Sequence, residues 1–169
     1  MGAMTPLTAD LLVLFRRDLE AFAREVALFP DDETLWRTVP GIANAGGNLA
    51  LHVAGNLRHF VGTVLGGTGY ARNREAEFGR REGSRGEVAA ELADALATLE
   101  TGLPALSPDA LAAPFPVAVA GVQPPTGRFL LHLSAHLAFH LGQTGYLRRA
   151  LTADPRSAGA MAIPDLDQP

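Results

Sequence analysis

The sequence predicts an all-α protein folded as a four-helix bundle, and three observations lead to this fold class. Four segments of roughly 18–25 residues repeat apolar side chains at helical spacing, and each would form a rod about 27–37 Å long. The connections between these segments contain glycine and proline residues, which favour turns and loops. A chain of 169 residues can bury one core. We therefore expect a single bundle over residues 5–152, followed by a flexible tail over residues 153–169.

The first two helices have clear start or stop signals. Thr5 and Pro6 suit the N-cap and first position of a helix that runs to Pro30. One of its faces is apolar, at Leu7, Leu11, Phe15, Phe22, Val26 and Phe29. An irregular connection over residues 30–47 contains Trp36, which we expect to attach it to the end of the bundle. The second helix is predicted over residues 48–65, ending at a Gly-Gly pair.

The third and fourth helices follow a charged, glycine-containing segment over residues 68–83. Ser84 and Glu87 match a capping box, so a third helix starts there and ends near Pro104. A single extra turn is expected from Ser107, and a short β-ribbon flap within residues 113–126. The fourth helix is predicted over residues 126–152, capped by Thr126. The connections over residues 30–47 and 104–126 are long enough for crossovers.

Composition excludes several classes of function. A net charge of −4, without any basic stripe interleaved with aromatics, argues against nucleic-acid binding. The most apolar stretches are interrupted by His, Asn and Arg, so no membrane span is expected. Because the chain has no cysteine, it cannot form a disulfide, a cysteine-zinc site or a cysteine nucleophile. No cationic segment followed by an apolar one begins the chain, and we expect a cytoplasmic location.

All five histidines lie on the second and fourth predicted helices, on faces that also carry apolar residues. His132, His136 and His140 are four residues apart, so successive imidazoles are offset by roughly 6 Å along the helix axis. Two neighbours can bind one ion, but His132 and His140 are about 12 Å apart, too far for metal–nitrogen bonds of about 2.0–2.1 Å. A third ligand must come from elsewhere. The spacing does not determine whether His132 and His136 or His136 and His140 bind the ion. It also does not determine whether His52 or His59 is the third ligand.

Hydrogen bonding provides a competing explanation for these histidines. A single histidine on an apolar helix face is commonly a core residue whose ring nitrogens are hydrogen-bonded. Five of them would need many partners, and the nearby sequence offers few: Asn48, Asn56, Ser134, Gln143 and Thr144. A shared metal ion would satisfy several imidazoles at once.

Two motifs resemble a known family. The fourth helix contains H-x-x-x-H-x-G-Q, from His136 to Gln143, and the second contains NLALHVAGNLRHF, with His52 one turn before Asn56. With the segment YARNREAEFGRREGSRGEV, these resemble the DinB/YfiT-like superfamily over about residues 5–152. The resemblance implies an up-down-down-up four-helix bundle and a divalent metal ion, zinc or nickel. It assigns the following residues as ligands: His52, His136 and His140.

The resemblance also assigns roles around the metal. The residues expected to contact the ligands or line the pocket are His132, His59, Gln143 and Asn56, while Gly142 and Gly145 are expected to permit close helix packing. Three neutral ligands leave a coordination position open, as at catalytic zinc sites. Relatives include S-transferases and isomerases that use bacillithiol or mycothiol, and metal-dependent hydrolases.

These implications define two hypotheses of function. The first is a metal-dependent thiol S-transferase or hydrolase that acts on a small electrophile, with a low-molecular-weight thiol as cosubstrate. The arginines that could hold a carboxylate of that thiol are Arg58, Arg72 and Arg128, and no general base is identifiable among Glu75, Glu77 and Glu82. The alternative is a non-catalytic metal-binding or stress-response module. We expect a helical homodimer.

Overall fold

The computed structural model of the chain describes residues 4–167; residues 1–3, and residues 168–169 at the end of the predicted tail, lie outside this range. All regular structure within it is helical, which confirms the all-α class. Seven α-helices occur in the described part of the chain, four of them long: α1 (Pro6–Ala27), α2 (Asp32–Leu35), α3 (Gly46–Leu57), α4 (Arg74–Gly79), α5 (Arg85–Gly102), α6 (Pro108–Ala112) and α7 (Thr126–Thr152). A π-helix (Arg58–Leu65) continues α3, and 3-10 turns lie at Leu103–Ala105 and Pro164–Asp167.

Two of the predicted helix starts are confirmed by their caps. The backbone N–H of Thr8 donates to the Thr5 hydroxyl oxygen at 3.2 Å, with Pro6 next in the chain. The Glu87 N–H donates to Ser84 Oγ at 3.1 Å, and the Ser84 N–H donates to the Glu87 carboxylate at 2.8 Å. The predicted cap at Thr126 is wrong, because its hydroxyl donates instead to the Ala113 carbonyl at 3.1 Å and thereby joins α7 to the preceding loop.

The four long helices enclose a single core. Both α1 and α3 pack against α5 and α7, and α1 and α3 face each other diagonally across the bundle. Large apolar side chains at the centre include Phe15, Phe22, Phe29, Phe115, Leu57, Leu92 and Leu99. All of them except Leu57 and Phe115 come from the apolar stripes that predicted the helices, so the burial of those stripes stabilises the bundle.

Contacts at the helix termini show which ends lie together. Phe29, just after α1, touches Gly46 at the start of α3, and its carbonyl accepts a hydrogen bond from Arg85 at the start of α5. At the opposite end of α1, Leu7 lies against Gly127 at the start of α7. The Val61 side chain in the π-helix contacts the last residue of α5.

Trp36 attaches the connection between α1 and α3 to the bundle, as predicted. Its indole N–H donates to the Gly83 carbonyl at 2.8 Å, and the residue is buried. The indole ring lies against Gly47, in the first turn of α3, at a distance that leaves no room for a side chain. The two glycines at the start of α3 therefore allow close packing of the aromatic rings of Trp36 and Phe29.

We expect Gly47→Ala to destabilise the protein. A Cβ atom at this position would lie 2.7 Å from Cζ3 of the buried Trp36, and overpacking of this kind costs about 1–3 kcal/mol. The free energy of unfolding in urea measures the effect. Gly142→Ala is the matched control, since a Cβ there meets nothing within 4 Å; it should stabilise α7 by roughly 0.5–1 kcal/mol. Equal losses in both variants would contradict the packing argument.

The expectation that Gly142 permits close helix packing is wrong, because a Cβ atom at this position would meet nothing within 4 Å.

The segment between α6 and α7 is a hairpin-like loop rather than the predicted β-ribbon. Only isolated bridges form within it, at Pro114–Pro125 and Val119–Val122. Proline removes backbone donors, which prevents a continuous ladder. The ring of Phe115 is buried beneath the loop and lies 4.4 Å from that of Phe129 on α7.

The segment after α7 lies along α1. Arg148, fully buried near the end of α7, pairs with Glu25 of α1 and donates to the carbonyls of Asp154 and Arg156. Arg24 Nε donates to the carbonyl of Ala158 at 2.9 Å. Flexibility of residues 153–169 stays a prediction. No helix within residues 4–167 is both long and apolar enough to cross a membrane.

Candidate metal centre

Three histidines from two helices converge at the interface between α3 and α7. His52 Nε2 lies 3.2 Å from His136 Nε2, and His140 Nε2 lies 3.0 Å from the same atom. One nitrogen from each ring falls within 4.8 Å of the other two. His52 is buried, whereas His136 and His140 are half-buried. The structure thus brings together the three residues that the resemblance assigned as ligands.

Local helix geometry and the packing of α3 on α7 together produce this cluster. His136 and His140 are one turn apart on α7, and their ring centroids are 4.4 Å apart. The ring of Phe60 on the continuation of α3 contacts Phe129 at 5.0 Å, two turns before His136. This register places His52 opposite the gap between the two α7 histidines. Spacing alone could not select His52, because the choice depends on how the helices align.

Hydrogen bonds at the outer ring nitrogens determine which nitrogens face the centre as lone pairs. His52 Nδ1 lies 3.0 Å from the Glu77 carboxylate, and His140 Nδ1 lies 2.7 Å from Gln143 Oε1. Both partners are acceptors, so each Nδ1 carries the proton. Arg72 Nη2 is also 3.1 Å from His52 Nδ1, but it donates to Glu77 at 2.7 Å. The Nε2 atoms of His52 and His140 therefore present lone pairs toward His136.

Hydrogen bonding within the cluster cannot satisfy all three inner nitrogens. His136 Nε2 carries at most one proton, so it can donate to His52 or to His140 but not fully to both. A cation satisfies all three lone pairs at once. Tetrahedral coordination with metal–nitrogen bonds of about 2.0–2.1 Å requires ligand nitrogens about 3.3 Å apart. The two separations that involve His136, 3.0 and 3.2 Å, are close to this value, and the nitrogens of His52 and His140 lie within 4.8 Å of each other. The residues present therefore fit a divalent metal ion.

The surroundings keep the imidazoles of His136 and His140 neutral, which is the form that binds metals. Burial lowers the pKa of His136 to about 4, and His140, His52, His132 and Arg72 contribute in the same direction. Burial also lowers the pKa of His140, against the opposing effect of its hydrogen bond to Gln143. Near neutral pH these two side chains are uncharged and their lone pairs are available.

Glu77 is a site residue that the sequence analysis missed. It lies on α4, is 5% exposed, and accepts two hydrogen bonds from Arg72, each 2.7 Å long, besides the one from His52. Asn48 holds this segment in place, because its Nδ2 donates to the carbonyls of Glu77 and Arg80, each at 2.9 Å. Gly55 permits the close approach, since a Cβ there would lie 2.2 Å from Glu77 Oε1.

The charge of Glu77 is maintained despite its burial. Burial acts to raise the pKa of its carboxyl group, but the hydrogen bonds from Arg72 and His52 outweigh it and lower the pKa below its ordinary value.

The sequence contains a pattern that indicates the helix on which Glu77 lies. Asn73 caps α4 by accepting from the Ala76 N–H at 3.0 Å, and an Asn followed by Glu in the first turn is a typical helix start. On that helix Glu75 and Glu77 are two residues apart and point to nearly opposite sides, so only one of them can face the bundle.

The other predicted site residues lie around the cluster without joining it. His132 is exposed, with its ring centroid 6.2 Å from that of His136. His59 is half-buried against Phe60, and burial lowers its pKa. Asn56 is buried one turn after His52, and its Oδ1 has no hydrogen-bond partner within the described residues.

The three candidate arginines differ in availability. Arg72 is bound to Glu77, so it is not free for the carboxylate of a cosubstrate. Arg58 pairs with Glu91 and lies over the Tyr70 ring at 4.1 Å. Arg128 is exposed on α7, one turn before His132. Of the three, Arg128 has the side chain best placed to meet a solute.

We expect Glu77→Gln to weaken metal binding by about 10–100-fold, the usual cost of removing a partner that orients a ligating histidine. The amide cannot supply the negative charge that favours the Nδ1–H tautomer of His52, and it weakens the ion pair with Arg72. Competition titration with a chromophoric zinc chelator measures the affinity. Glu75→Gln, at an exposed position of the same helix, is the matched control and should bind zinc like the wild type. Equal affinities for Glu77→Gln and the wild type would rule out this role.

Together, the bundle and the cluster define a class of helical proteins with a three-histidine candidate metal centre between two long helices. The family model of the DinB superfamily matches residues 12–144, which is most of the sequence, and the chain belongs to this superfamily. The resemblance inferred from the histidine motifs is thereby confirmed. No curated protein matches the sequence significantly.

Proposed function

We propose that this protein binds a divalent metal ion, zinc or nickel, through His52, His136 and His140, and transfers a low-molecular-weight thiol to a small electrophile. The observation that carries the proposal is the convergence of three Nε2 atoms. At least two of these nitrogens, those of His52 and His140, direct a lone pair toward the centre, because Glu77 and Gln143 accept hydrogen bonds from the opposite ring nitrogens. Three neutral ligands suit a catalytic rather than a structural site, because they leave room for a further ligand.

When bound, the ion supplies Lewis acidity and lowers the pKa of a coordinated thiol or water toward neutrality. The proposed reaction forms a bond between the thiol sulfur and an electrophilic carbon of the second substrate. The bond from that carbon to its leaving group breaks, and the leaving group departs with the electron pair. The thiol proton passes to solvent. Because the chain has no cysteine, the sulfur must belong to the cosubstrate.

The residues around the cluster have distinct roles in this proposal. Glu77 orients His52 and is held by Arg72, so it does not exchange protons with substrates. Asn56 supports the binding of a ligand beside the cluster. Its buried Oδ1 has no hydrogen-bond partner within the described residues, and leaving a buried acceptor unpaired costs about 1–3 kcal/mol. Arg128 and His132 form a polar, exposed surface beside the cluster. We assign Arg128 to a carboxylate of the thiol.

We also propose the up-down-down-up topology that the resemblance implies. The starts of α3 and α5 both lie near Phe29 at the end of α1, which supports parallel α3 and α5 opposite in direction to α1. The start of α7 lies near Leu7, and Arg148 near its end pairs with Glu25 near the end of α1. These contacts support α7 parallel to α1.

A homodimer is the assembly that we propose. The outward face of α7 carries large exposed apolar side chains at Leu131 and Phe139, roughly two turns apart. A second copy of the chain would cover them and remove apolar surface from water. Sedimentation equilibrium of the wild type and Phe139→Glu tests this assembly, since the variant should be monomeric.

The functional proposal is tested in two stages on the purified protein. Titration with zinc and with nickel should give one metal ion per chain, and a thiol added to the nickel form should change its absorption spectrum. Metal-loaded protein should then conjugate the thiol to a generic electrophile such as 1-chloro-2,4-dinitrobenzene. Tight metal binding without any effect of thiol would favour the non-catalytic binding module. Consumption of an ester without thiol would favour a hydrolase.

A further inference from the structure

A groove lies beside the histidine cluster, outside the proposed metal centre. It lies between the loop over residues 39–44 and the last part of α7, and its volume is about 450 Å³. This volume falls within the ordinary range of small-molecule sites, about 300–1,000 Å³. The side chains that line most of it are Ile42, Ala43, Leu49, Leu147 and Ala150.

Residues of α3 and α7 that neighbour the cluster also line the groove. Gln143 lines the groove, and its Oε1 also accepts the hydrogen bond from His140 Nδ1 at 2.7 Å. Leu49 lines it from α3 and lies one turn before His52. Along α7 the lining extends from Gln143 to Ala150, about 10 Å further from the cluster. The inner end of the groove therefore lies next to His140, on the side of its Nδ1.

The chemistry of the lining selects one kind of occupant. No charged side chain lines the groove among the described residues, and the polar side chains are uncharged: Asn44, Gln143 and the phenol of Tyr146. A charged group would be desolvated there without a partner, which is costly. An apolar group gains from burial against the aliphatic side chains. The polar thiol is better suited to the opposite side, near the exposed His132 and Arg128.

We propose that this groove binds the apolar part of the electrophilic substrate, an uncharged alkyl or aryl group, and so determines substrate specificity. The inference rests on the proposed function, because it assigns one portion of the substrate of that reaction. It assigns Gln143 two roles: orienting His140 and lining the inner end of the groove.

The test uses unreactive, uncharged N-alkylacetamides, from methyl to hexyl, as probes of the full chain with and without zinc. Binding is followed by amide chemical shifts, which should move at residues 39–49 and 143–150. Affinity should increase about fourfold per methylene until the groove is filled, as expected for burial of each CH₂. In the transferase assay, kcat/KM for electrophiles with the same alkyl groups should follow the same series.

Two variants fill the groove without touching the cluster. Ala150→Phe and Ala43→Phe change exposed alanines of the lining, and each should abolish the dependence on chain length while zinc stoichiometry stays at the wild-type value. Ala90→Phe makes the same change at an exposed position of α5 and should leave probe binding unaltered.

The outcomes separate this inference from the function on which it rests. Affinity independent of chain length, or unchanged in both groove variants, overturns the groove assignment even where metal binding and thiol transfer are intact. Probe binding in the groove with no thiol transfer overturns the proposed reaction and leaves an apolar ligand site. Shifts confined to the outward face of α7 would assign the probe to the dimer surface and also overturn the groove.

Discussion

His136→Ala should abolish stoichiometric metal binding. His136 Nε2 is the central atom of the cluster, lying 3.2 Å from His52 Nε2 and 3.0 Å from His140 Nε2. Zinc binding at structural sites is worth about 10–16 kcal/mol, shared among a few ligands, so losing one should weaken binding on the order of a thousandfold or more. Competition titration with a chelator of known affinity measures the loss. The variant should remain folded, since the removed ring is only half-buried.

Two other histidines provide controls for this effect. His132→Ala removes an exposed imidazole one turn from His136 on the same helix, and metal affinity should change little. His59→Ala removes a half-buried ring that contacts Phe60 at 4.9 Å, so it should lower the stability and leave the metal in place. If His59→Ala releases the metal and His52→Ala retains it, the assignment of the third ligand is wrong. Retention of tight binding by His136→Ala would remove the basis of the proposed centre.

Arg148→Ala should destabilise the protein by about 3–5 kcal/mol, the usual cost of removing one partner of a buried ion pair. The Arg148 side chain is fully buried and pairs with Glu25, which is 2% exposed. Its removal leaves the carboxylate without a counter-charge inside the protein. It also frees the carbonyls of Asp154 and Arg156, which attach the segment after α7 to the bundle. Urea unfolding of the metal-free protein measures the loss.

A surface ion pair and a double-mutant cycle make this prediction specific. Arg16→Ala removes an arginine that pairs with Glu100 at 2.9 Å with both side chains substantially exposed, and it should cost about 0.2–1 kcal/mol. Combining Arg148→Met with Glu25→Leu should cost less than the sum of the single changes, because neither charge is left unpaired. Additive losses would show that the two side chains do not act as a pair.

The sequence predicted best those features that depend on neighbouring residues. The start of α1 at Thr5 and Pro6, and of α5 at Ser84 with Glu87, follow from local caps that the structure contains. The apolar stripe of α1 predicted which side chains enter the core. The predictions failed where a distant contact competes with a local one. Thr126 bonds the preceding loop instead of capping α7.

The histidine cluster shows the limit of sequence spacing. Spacing restricted any metal site to two adjacent histidines of α7 and one from the second helix, because a helix advances about 1.5 Å per residue. It could not choose His52 over His59, since that depends on the alignment of α3 with α7. The motif resemblance supplied the choice, and the structure brings the same three rings together.

The sequence by itself determined the helical class, the caps of α1 and α5 and the absence of a cysteine nucleophile, because these depend on residue identity and short-range spacing. Only the tertiary structure decided that the carboxylate of Glu77 contacts His52, since the two residues lie on separate helices. Gly55 leaves room for the Glu77 side chain, and Asn48 holds its backbone by a hydrogen bond. The groove over residues 39–44 likewise exists only once that loop packs beside α7. Contacts between distant segments depend on packing of the whole bundle, and no local pattern encodes them.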